Sequence, residues 1–296
     1  MRYLILGSNG LLGSNVVTEC RFRSHDVVGT HHTSPPDIDV PSHELDIREE
    51  SATAAVLDEV APDIVVNCAA MTDVDGCESD PDAAMVINGT APGAIASACA
   101  DRDIGFVHVS TDYVFDGIDG SPYPEDAEPD PVQVYGESKL AGEHAVRENH
   151  PDPTIARLSF VYGVHRGDGG LTGFPAWVRG KLDAGEEVPL FTDQAVTPTR
   201  AGQAAATLLD LSRDNLTGTY HVACRSCVSP YEFGEQICEQ MDASPALLSE
   251  GSMADVDRPA KRPRETCLAV ESIESALGRL QPTLGEDLEE ISEAFQ

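Results

Sequence analysis

The sequence predicts an α/β protein with a Rossmann-type, doubly wound parallel sheet and a smaller C-terminal α/β substrate domain. Residues 2–6 form a short apolar run that is followed at once by glycines at positions 7, 10 and 13. Further apolar runs recur at 26–30, 63–70 and 104–110, with helix-like segments at about 51–60 and 81–101. Such alternation of strand and helix favours a parallel sheet covered by helices on both faces.

The glycines after the first strand predict a site for a dinucleotide. Glycine lets a backbone approach a pyrophosphate closely, and the N-terminus of the following helix attracts its negative charge. The spacing is GxxGxxG rather than GxGxxG, so the position between strand and helix carries the interpretation. The candidate cofactor contacts in this turn are Gly7, Asn9, Gly10, Leu11, Leu12 and Gly13.

Polar residues stand where the later strands are expected to end. Ligands of doubly wound sheets collect at the carboxyl ends of the strands, so Asn67, Ser110 and Thr111 are candidates there, although each residue type also ends strands or caps helices. Asp46 could contact an adenine edge or be an ordinary loop acid in an acidic chain. The neighbouring candidates for cofactor contact are Ile47, Ala69 and Ala70.

The residues after the second strand bear on the choice of cofactor. A site for NAD usually carries an acid there to hold the ribose 2′-hydroxyl, whereas this chain reads Thr30-His31-His32. With no acid to repel a 2′-phosphate, we expect NADP(H) to be preferred and NAD(H) to remain usable. The histidines could contact that phosphate or be solvated loop residues.

The charge of the chain is unusually negative. It has 19 Lys and Arg against 51 Asp and Glu, a formal net charge of −32, and only 3 of the basic residues are lysines. Such a surface repels nucleic acid and acidic membranes, and dispersed acid with scarce lysine resembles the proteins of salt-accumulating halophiles. No apolar run is expected to reach the length of a membrane span, and no signal-peptide core is seen. We therefore expect a cytoplasmic protein.

The eight cysteines show no rhythm of a disulfide scaffold, so we expect them to be reduced. Cys224 and Cys227 form a lone CxxC. Zinc needs four ligands and no second pair completes them, so we predict no metal site.

Tyr135 and Lys139 are four residues apart at the start of a predicted helix, and therefore on one face of it. A free phenol titrates near pH ~10. A lysine charge about 4 Å away is worth roughly 4 kcal/mol at an effective dielectric of 20. We therefore expect the lysine to lower the pKa of the tyrosine by about three units, toward working pH.

Motifs across nearly the whole chain carry a family resemblance. "VHVSTDYVFDG" (107–117) and "VYGESKLAGE" (134–143) are specific, while "NCAAMTDVDGCE" (67–78), "INGTAPGAIASAC" (87–99), "RLSFVYG" (157–163), "DQAVTPT" (193–199) and "AKRP" (260–263) are looser. The chain resembles the extended short-chain dehydrogenase/reductases, above all the dTDP-4-dehydrorhamnose reductases and their methionine adenosyltransferase β-subunit relatives.

The resemblance implies roles for individual residues. Tyr135 becomes the general acid and Lys139 its partner, both also touching the cofactor. Thr111 becomes the holder of the substrate carbonyl, and Asn88 a member of the proton-relay group. The implied substrate contacts are Ser110, Phe160, Phe174, Gln194 and Arg262. Phe160 stands where the family has tryptophan and Gly173 where it has asparagine, which leaves the identity of the sugar open.

The second half of the chain is less regular. We place a NAD(P)-binding domain at 1–162 and a smaller, partly interleaved substrate region at 163–296. Residues 163–174 form a glycine-rich loop that could close over a substrate, and Ser229 is expected to cap a helix with Pro230 at its first position. Lys261 and Arg262, in the chain's only basic cluster, are candidates for a sugar diphosphate or for a solvated loop.

The sequence thus favours an NAD(P)H-dependent reductase of a nucleotide-linked 4-keto-6-deoxy sugar. Two alternatives remain open: a regulatory subunit that binds NADP without turnover, and a nucleotide-sugar epimerase or dehydratase. The expected partner is a nucleotide sugar, with neither nucleic acid nor membrane, and a homodimer is an open possibility.

Overall fold

A computed structural model describes residues 1–118 and 122–296 of the chain. The strands are β1 Arg2–Leu6, β2 Asp26–His31, β3 Ser42–Glu44, β4 Ile64–Asn67, β5 Gly105–Thr111, β6 Thr154–Leu158, β7 Val161–Val164, β8 Leu171–Thr172, β9 Val188–Phe191, β10 Thr199–Arg200, β11 Gly218–His221 and β12 Leu248–Gly251. The α-helices are α1 Leu11–Phe22, α2 Glu50–Val60, α3 Val74–Ser79, α4 Pro81–Ala84, α5 Ala91–Ala100, α6 Val134–Asn149, α7 Phe174–Asp183, α8 Ala201–Arg213, α9 Pro230–Gln240, α10 Glu271–Leu277 and α11 Leu284–Glu289.

The main sheet has seven strands in the order β11-β6-β5-β4-β1-β2-β3. Every pairing within it is parallel. The chain starts in the middle and winds outward in both directions, so the strand order reverses between β1 and β4. The predicted doubly wound sheet is confirmed, and its reversal point opens a crevice at the carboxyl ends of the strands.

Apolar cores lie on both faces of this sheet. On one face α1 and α8 pack over β1 and β5, with Val16, Val17 and Leu208 fully buried. On the other face α2, α5 and α6 cover the strands around Leu4, Val65 and Ile155. The buried strands read as nearly continuous apolar runs because both of their faces are covered.

The segment predicted as one helix at about 81–101 consists of α4, a π-helical turn at Met85–Thr90 and α5. Together Pro81–Ala100 is long and apolar enough to cross a membrane by length and composition, so the expectation that no run reaches that length is wrong. Half of it is buried inside the fold. A Cβ added at Gly93 would lie 2.7 Å from the Ala145 methyl group on α6. These contacts are those of a core helix of the domain.

The second half forms a smaller layer with its own core. β10, β7 and β8 make one sheet, β12 and β9 a parallel pair, and Tyr162, Phe233 and Leu284 are fully buried between them and helices α7, α9 and α11. The glycine-rich loop at 163–174 contains an antiparallel pairing of β7 with β8. β11 and α8 return to the first sheet, so the division at 162/163 remains an interpretation.

Helix α9 begins as the sequence predicts. The Ser229 side chain accepts from the Glu232 backbone N–H at 3.1 Å, while the Glu232 carboxylate accepts from the Ser229 N–H at 2.7 Å. Pro230 occupies the first helical position. This reciprocal cap satisfies N–H groups that would otherwise lack partners at the helix start.

One disulfide contradicts the expectation that all eight cysteines are reduced. Cys227 is bonded to Cys267, 40 residues further along the chain, with Cα atoms 5.6 Å apart. Cys224, the other half of the CxxC motif, is buried and free, and burial raises the pKa of its thiol to about 12. Sequence spacing missed the pair because the fold, rather than the motif, brings Cys267 to Cys227.

Candidate active site

A cleft of about 660 Å³ lies at the carboxyl ends of the central strands, where the strand order reverses. It is lined by Gly7, Gly10, Leu11, Leu12, Gly13, His32, Cys68, Ala69, Ala70, Thr72, Val74, Val109, Ser110, Thr111, Asp112, Tyr113, Tyr135, Lys139, Leu158, Phe160, Val161 and Phe174. The glycine turn, the Thr111–Tyr135–Lys139 group and the two predicted aromatic contacts therefore share one cleft.

Each of the three glycines in the turn is needed for a different structural reason. Gly7 has φ +75°, a conformation that side chains rarely adopt. A Cβ at Gly13 would lie 2.2 Å from the Gly7 carbonyl oxygen, so only glycine lets α1 pack this closely on the turn. At Gly10 the added Cβ would meet nothing nearer than 3.5 Å. Gly10 thus leaves the helix N-terminus open to the cleft, as a phosphate-binding turn requires.

The end of β2 carries residues considered for the cofactor, and the cofactor contacts of Thr30 and His31 remain predictions. Thr30 is 1% exposed, and its hydroxyl accepts from the Gly7 N–H at 3.4 Å beneath the glycine turn. It does not line the cleft, and neither does half-buried His31. The cleft residue here is His32, whose imidazole lies 3.6 Å from the Asp46 carboxylate. The sequence named both histidines as possible contacts of a 2′-phosphate, and of the two only His32 lines the cleft.

Asp46 is held by a neighbour rather than being free for an adenine. Its carboxylate accepts from Arg48 through both oxygens, at 2.5–3.0 Å. These hydrogen bonds lower the pKa of Asp46 to about 2. Ile47 is buried, and the Asn9 side chain donates to the Ser34 carbonyl at 3.2 Å. Cofactor contacts of Asp46, Ile47 and Asn9 remain predictions.

Close packing at the start of α6 places Tyr135 beside the end of β5. A Cβ at Gly136 would lie 2.0 Å from the Tyr113 carbonyl oxygen, so glycine is needed for α6 to approach that loop. The Tyr135 and Tyr113 rings meet edge to face, with centroids 6.0 Å apart. The Thr111 hydroxyl is close enough to affect the ionisation of Tyr135 through a hydrogen bond. Thr111 and Tyr135 are therefore neighbours, as predicted.

The charges around this pair differ from the expectation. Lys139 is 3% exposed and donates to the Val109 carbonyl at 2.6 Å, and burial lowers its pKa to about 8. Burial raises the pKa of Tyr135 above its usual value, and the Thr111 hydrogen bond opposes this only in part. The expectation that Lys139 lowers the tyrosine pKa by about three units is wrong for this arrangement, because desolvation is the largest influence on the phenol and raises its pKa.

Asn88 lies in the π-helical turn and has every side-chain atom engaged. Its Oδ1 accepts from the Met71 N–H at 2.8 Å, and its Nδ2 donates to the Met71 carbonyl at 2.9 Å and the Ser138 hydroxyl at 3.1 Å. Through these hydrogen bonds Asn88 connects Met71, in the loop after β4, with Ser138 on α6, the residue that precedes Lys139. Its part in a proton relay remains a prediction.

Asn67 and Ser110 are likewise engaged within the protein. Asn67 pairs with the His108 ring at 3.2 Å and accepts from the Ala69 N–H at 3.1 Å. Ser110 donates to Glu143 at 2.6 Å. Both sit at the predicted strand ends, and Ser110 lines the cleft, while direct ligand contacts of either residue remain predictions.

Aromatic residues form the other side of the cleft. Phe160 and Phe174 have ring centroids 5.4 Å apart, and Trp177, 44% exposed, lies 5.9 Å beyond Phe174. Phe160 has φ +46°, an uncommon conformation for a bulky side chain. Strain of this kind tends to be kept where function needs it.

Two predicted substrate contacts lie elsewhere. Gln194 is 6% exposed and does not line the cleft. Arg262 makes a double hydrogen bond to Asp75 on α3, at 3.1 and 3.0 Å. Lys261 and Arg258 in the same cluster are exposed. A diphosphate bound here would meet these two cations more readily than Arg262, whose charge is already paired.

Sequence reasoning also passed over Asp112 and Tyr113, which line the cleft beside Thr111. Both stand in the same specific motif as Thr111, and that shared motif was the available signal. Among the residues that the structure describes, no group of three or more His, Cys, Asp or Glu could hold a metal ion.

Comparisons with known proteins found relatives that match along nearly the whole chain. A protein of Haloferax volcanii named as a probable low-salt glycan biosynthesis reductase is 52% identical over 295 residues, covering 100% of this chain and 98% of that protein. The dTDP-4-dehydrorhamnose reductase of Mycolicibacterium smegmatis is 34% identical over 284 residues, covering 95% of this chain and 81% of that protein. The crystal structure of Bacillus anthracis dTDP-4-dehydrorhamnose reductase in complex with NADP has a TM-score of 0.86 and 29% identity, covering 98% of each chain.

A family model that matches the whole length of the chain identifies the family. The model described as the RmlD substrate binding domain matches residues 1–296. The resemblance predicted from the motifs is confirmed: the chain belongs to the RmlD substrate-binding domain family of dTDP-4-dehydrorhamnose reductase-like proteins.

Proposed function

We propose that the protein is an NADPH-dependent reductase of a nucleotide-linked 4-keto-6-deoxy sugar, with Tyr135 as the general acid. The observation that carries the proposal is that Thr111, Tyr135 and Lys139 meet in one cleft with the glycine turn. The family, whose named relatives are reductases, supports the oxidoreductase class over a binding subunit.

The described residues fit a nicotinamide dinucleotide. Gly10 leaves room for a pyrophosphate at the N-terminus of α1, a helix of 12 residues without acid in its first turn. His32 lies at the end of β2, where a ribose 2′-phosphate is expected, and Lys139 lies deep in the same cleft. When bound, the reduced dinucleotide supplies the hydride.

The protein residues handle the proton and the orientation of the ketone. Because burial raises the pKa of Tyr135, the phenol is fully protonated at neutral pH and can donate to the carbonyl oxygen as charge develops there. We assign Thr111 to hold the same oxygen with its hydroxyl hydrogen, which in the free protein is donated to Asp112 Oδ1 and would turn to the carbonyl when the sugar binds. We assign the buried Lys139 ammonium, which lines the same cleft, to favour the phenolate that remains after transfer.

The aromatic side of the cleft suits a deoxy sugar. Phe160 and Phe174 offer apolar area to a C6 methyl group and to sugar C–H bonds. Exposed Arg258 and Lys261 are the cations proposed for the diphosphate. Since the Haloferax relative is named for glycan biosynthesis, we expect the reduced sugar to serve glycan assembly.

The proposal is tested by NADPH oxidation at 340 nm in molar KCl with a panel of nucleotide 4-keto-6-deoxy sugars. We expect oxidation with at least one dTDP-linked member and none with the 4-hydroxy sugars. A folded protein that binds NADPH yet oxidises none of it with any keto sugar would contradict the proposal. Tightly held NAD in the purified protein would instead favour an epimerase.

Cofactor preference should depend on His32. We expect a higher kcat/KM with NADPH than with NADH. The His32→Asp variant should lose roughly fivefold or more of that preference, since two like charges about 4 Å apart repel by ~1 kcal/mol even in water. The matched control is His43→Asp on β3, outside the cleft, which should leave the ratio unchanged. A wild-type preference for NADH would refute this prediction.

The loss of kcat/KM at alkaline pH should follow the deprotonation of Lys139. Its pKa is lowered to about 8, so the ammonium is present below that pH and lost above it. We expect kcat/KM to fall as the pH rises through about 8. Since Tyr135 has a raised pKa, the phenol does not titrate in this range. The Lys139→Arg variant stays charged, so it should be slower than the wild type but should not lose activity as the pH rises through about 8. A wild-type kcat/KM that stays constant up to pH ~10 would count against the assignment.

A further inference from the structure

Asp112 is a buried carboxylate directly after the last residue of β5. It is 3% exposed, and each of its oxygens accepts a hydroxyl hydrogen: Oδ1 from Thr111 at 3.0 Å and Oδ2 from Ser159 at 2.8 Å. Burial raises its pKa to about 6, opposed by the side chains of Thr266, Ser159 and Thr111. Asp112 is therefore ionised at neutral pH, and hydrogen bonds to an ionised acceptor are roughly twice as strong as neutral ones.

The other buried acids of the described chain are neutralised differently. Glu143 faces Arg157 at 2.8 Å, Asp287 faces Arg200 at 2.7 Å, and Asp210 faces Arg23. Asp112 makes no ion pair among the described residues and is held by hydroxyl groups. A buried charge without a cation is costly, so its retention beside the reacting group points to a role of its own.

Its two partners connect the halves of the site. The Thr111 hydroxyl also accepts from the Tyr113 N–H at 3.2 Å, and it is close enough to the Tyr135 phenol to affect its ionisation. Ser159 is fixed by its backbone N–H, which donates to the Thr199 hydroxyl at 3.2 Å, and it immediately precedes the strained Phe160. Ser159, Asp112, Thr111 and Tyr135 thus form one chain of contacts from the substrate side to the phenol.

We propose that Asp112 is a positioning residue: by accepting the Thr111 hydrogen in the free protein it holds that hydroxyl near the Tyr135 phenol, ready to turn to the substrate carbonyl, and it does not contact the carbonyl itself. The inference rests on the proposed function, because Thr111 and Tyr135 matter only if the cleft reduces a ketone. An ionised carboxylate has no hydrogen to donate to a carbonyl oxygen, so Asp112 acts on the reaction through Thr111.

A double-mutant cycle tests this, with kcat and KM for the keto sugar and the Kd for NADPH measured in molar KCl. Asp112→Ala should lower kcat by ~10–100-fold, the scale for residues that orient a functional group, with KM and Kd nearly unchanged. In a Thr111→Val background the same change should cost less than ~3-fold, because coupled residues are not additive. Asp112→Asn, which keeps an acceptor oxygen, should recover part of the rate.

Asp287→Asn is the matched control, since Asp287 is another buried aspartate whose pKa is raised to about 6, far from the cleft. It should leave kcat unchanged once the variant is folded. Equal losses in both backgrounds, a raised KM with normal kcat, or wild-type activity of Asp112→Ala would each overturn the inference. If Asp112→Ala does not fold, the cycle is run with Asp112→Asn. If the wild-type protein reduces no keto sugar, the proposed function itself is contradicted. That result is obtained before any variant is made, so it cannot be confused with a failure of the Asp112 proposal.

Discussion

Tyr135→Phe is expected to fold, to bind NADPH as the wild type does, and to lose at least ~100-fold in turnover, the low end for general acid catalysis. The substitution keeps the ring that meets Tyr113 edge to face and removes the hydroxyl beside Thr111. Because burial holds the phenol in its protonated form, that hydroxyl is a ready proton donor throughout the neutral range.

The measurement is single-turnover NADPH oxidation with saturating keto sugar, accompanied by the Kd for NADPH. Tyr162→Phe is the matched control, since it removes the hydroxyl of another fully buried tyrosine that does not line the cleft. We expect that variant to keep its turnover. Near-normal turnover of Tyr135→Phe would remove the general acid from the proposed mechanism.

Gly13→Ala is expected to damage the fold and the cofactor site together. The new Cβ would lie 2.2 Å from the Gly7 carbonyl oxygen and 2.9 Å from backbone carbons of the turn, so α1 must move away from β1. Overpacking of this kind costs ~1–3 kcal/mol or more, a large share of a typical ~5–15 kcal/mol of folding free energy. NADPH binding should weaken with it, because the turn that would hold the pyrophosphate is displaced.

Gly10→Ala separates the two effects. Its Cβ meets ordinary contacts in the protein, so the free energy of unfolding should change by at most ~1 kcal/mol, the usual cost of alanine at a helix N-cap. The methyl group nevertheless occupies space at the helix N-terminus, so NADPH affinity should fall. Denaturant unfolding and NADPH titration of both variants check the pair. Equal stability of Gly13→Ala and the wild type would contradict the packing argument.

The parts of the fold that sequence predicts well are those with local causes. Hydrophobic runs fixed β1, β2, β4 and β5 to within a few residues, and the capping residues Ser229 and Glu232 marked the start of α9. The motif around Thr111, Tyr135 and Lys139 likewise brought its residues together, because one strand end and one helix start carry all three.

The features that the sequence did not predict are those that depend on tertiary packing. Cys227 and Cys267 meet through loops of different segments. Thr30 lies two residues before His32, which follows β2 and lines the cleft, and its hydroxyl lies beneath the glycine turn. The pKa of Tyr135 rises rather than falls, since desolvation depends on everything packed around the ring. None of these has a signature in residue spacing.

Trp177 gives the protein a built-in optical reporter. It is the only tryptophan in the chain, it is 44% exposed at the start of α7, and it lies 5.9 Å from Phe174 at the edge of the cleft. All tryptophan emission therefore comes from one place, and a bound reduced nicotinamide, which absorbs in the range where tryptophan emits, would quench it by resonance energy transfer. Occupancy of the cleft can thus be followed in molar salt without attaching any label.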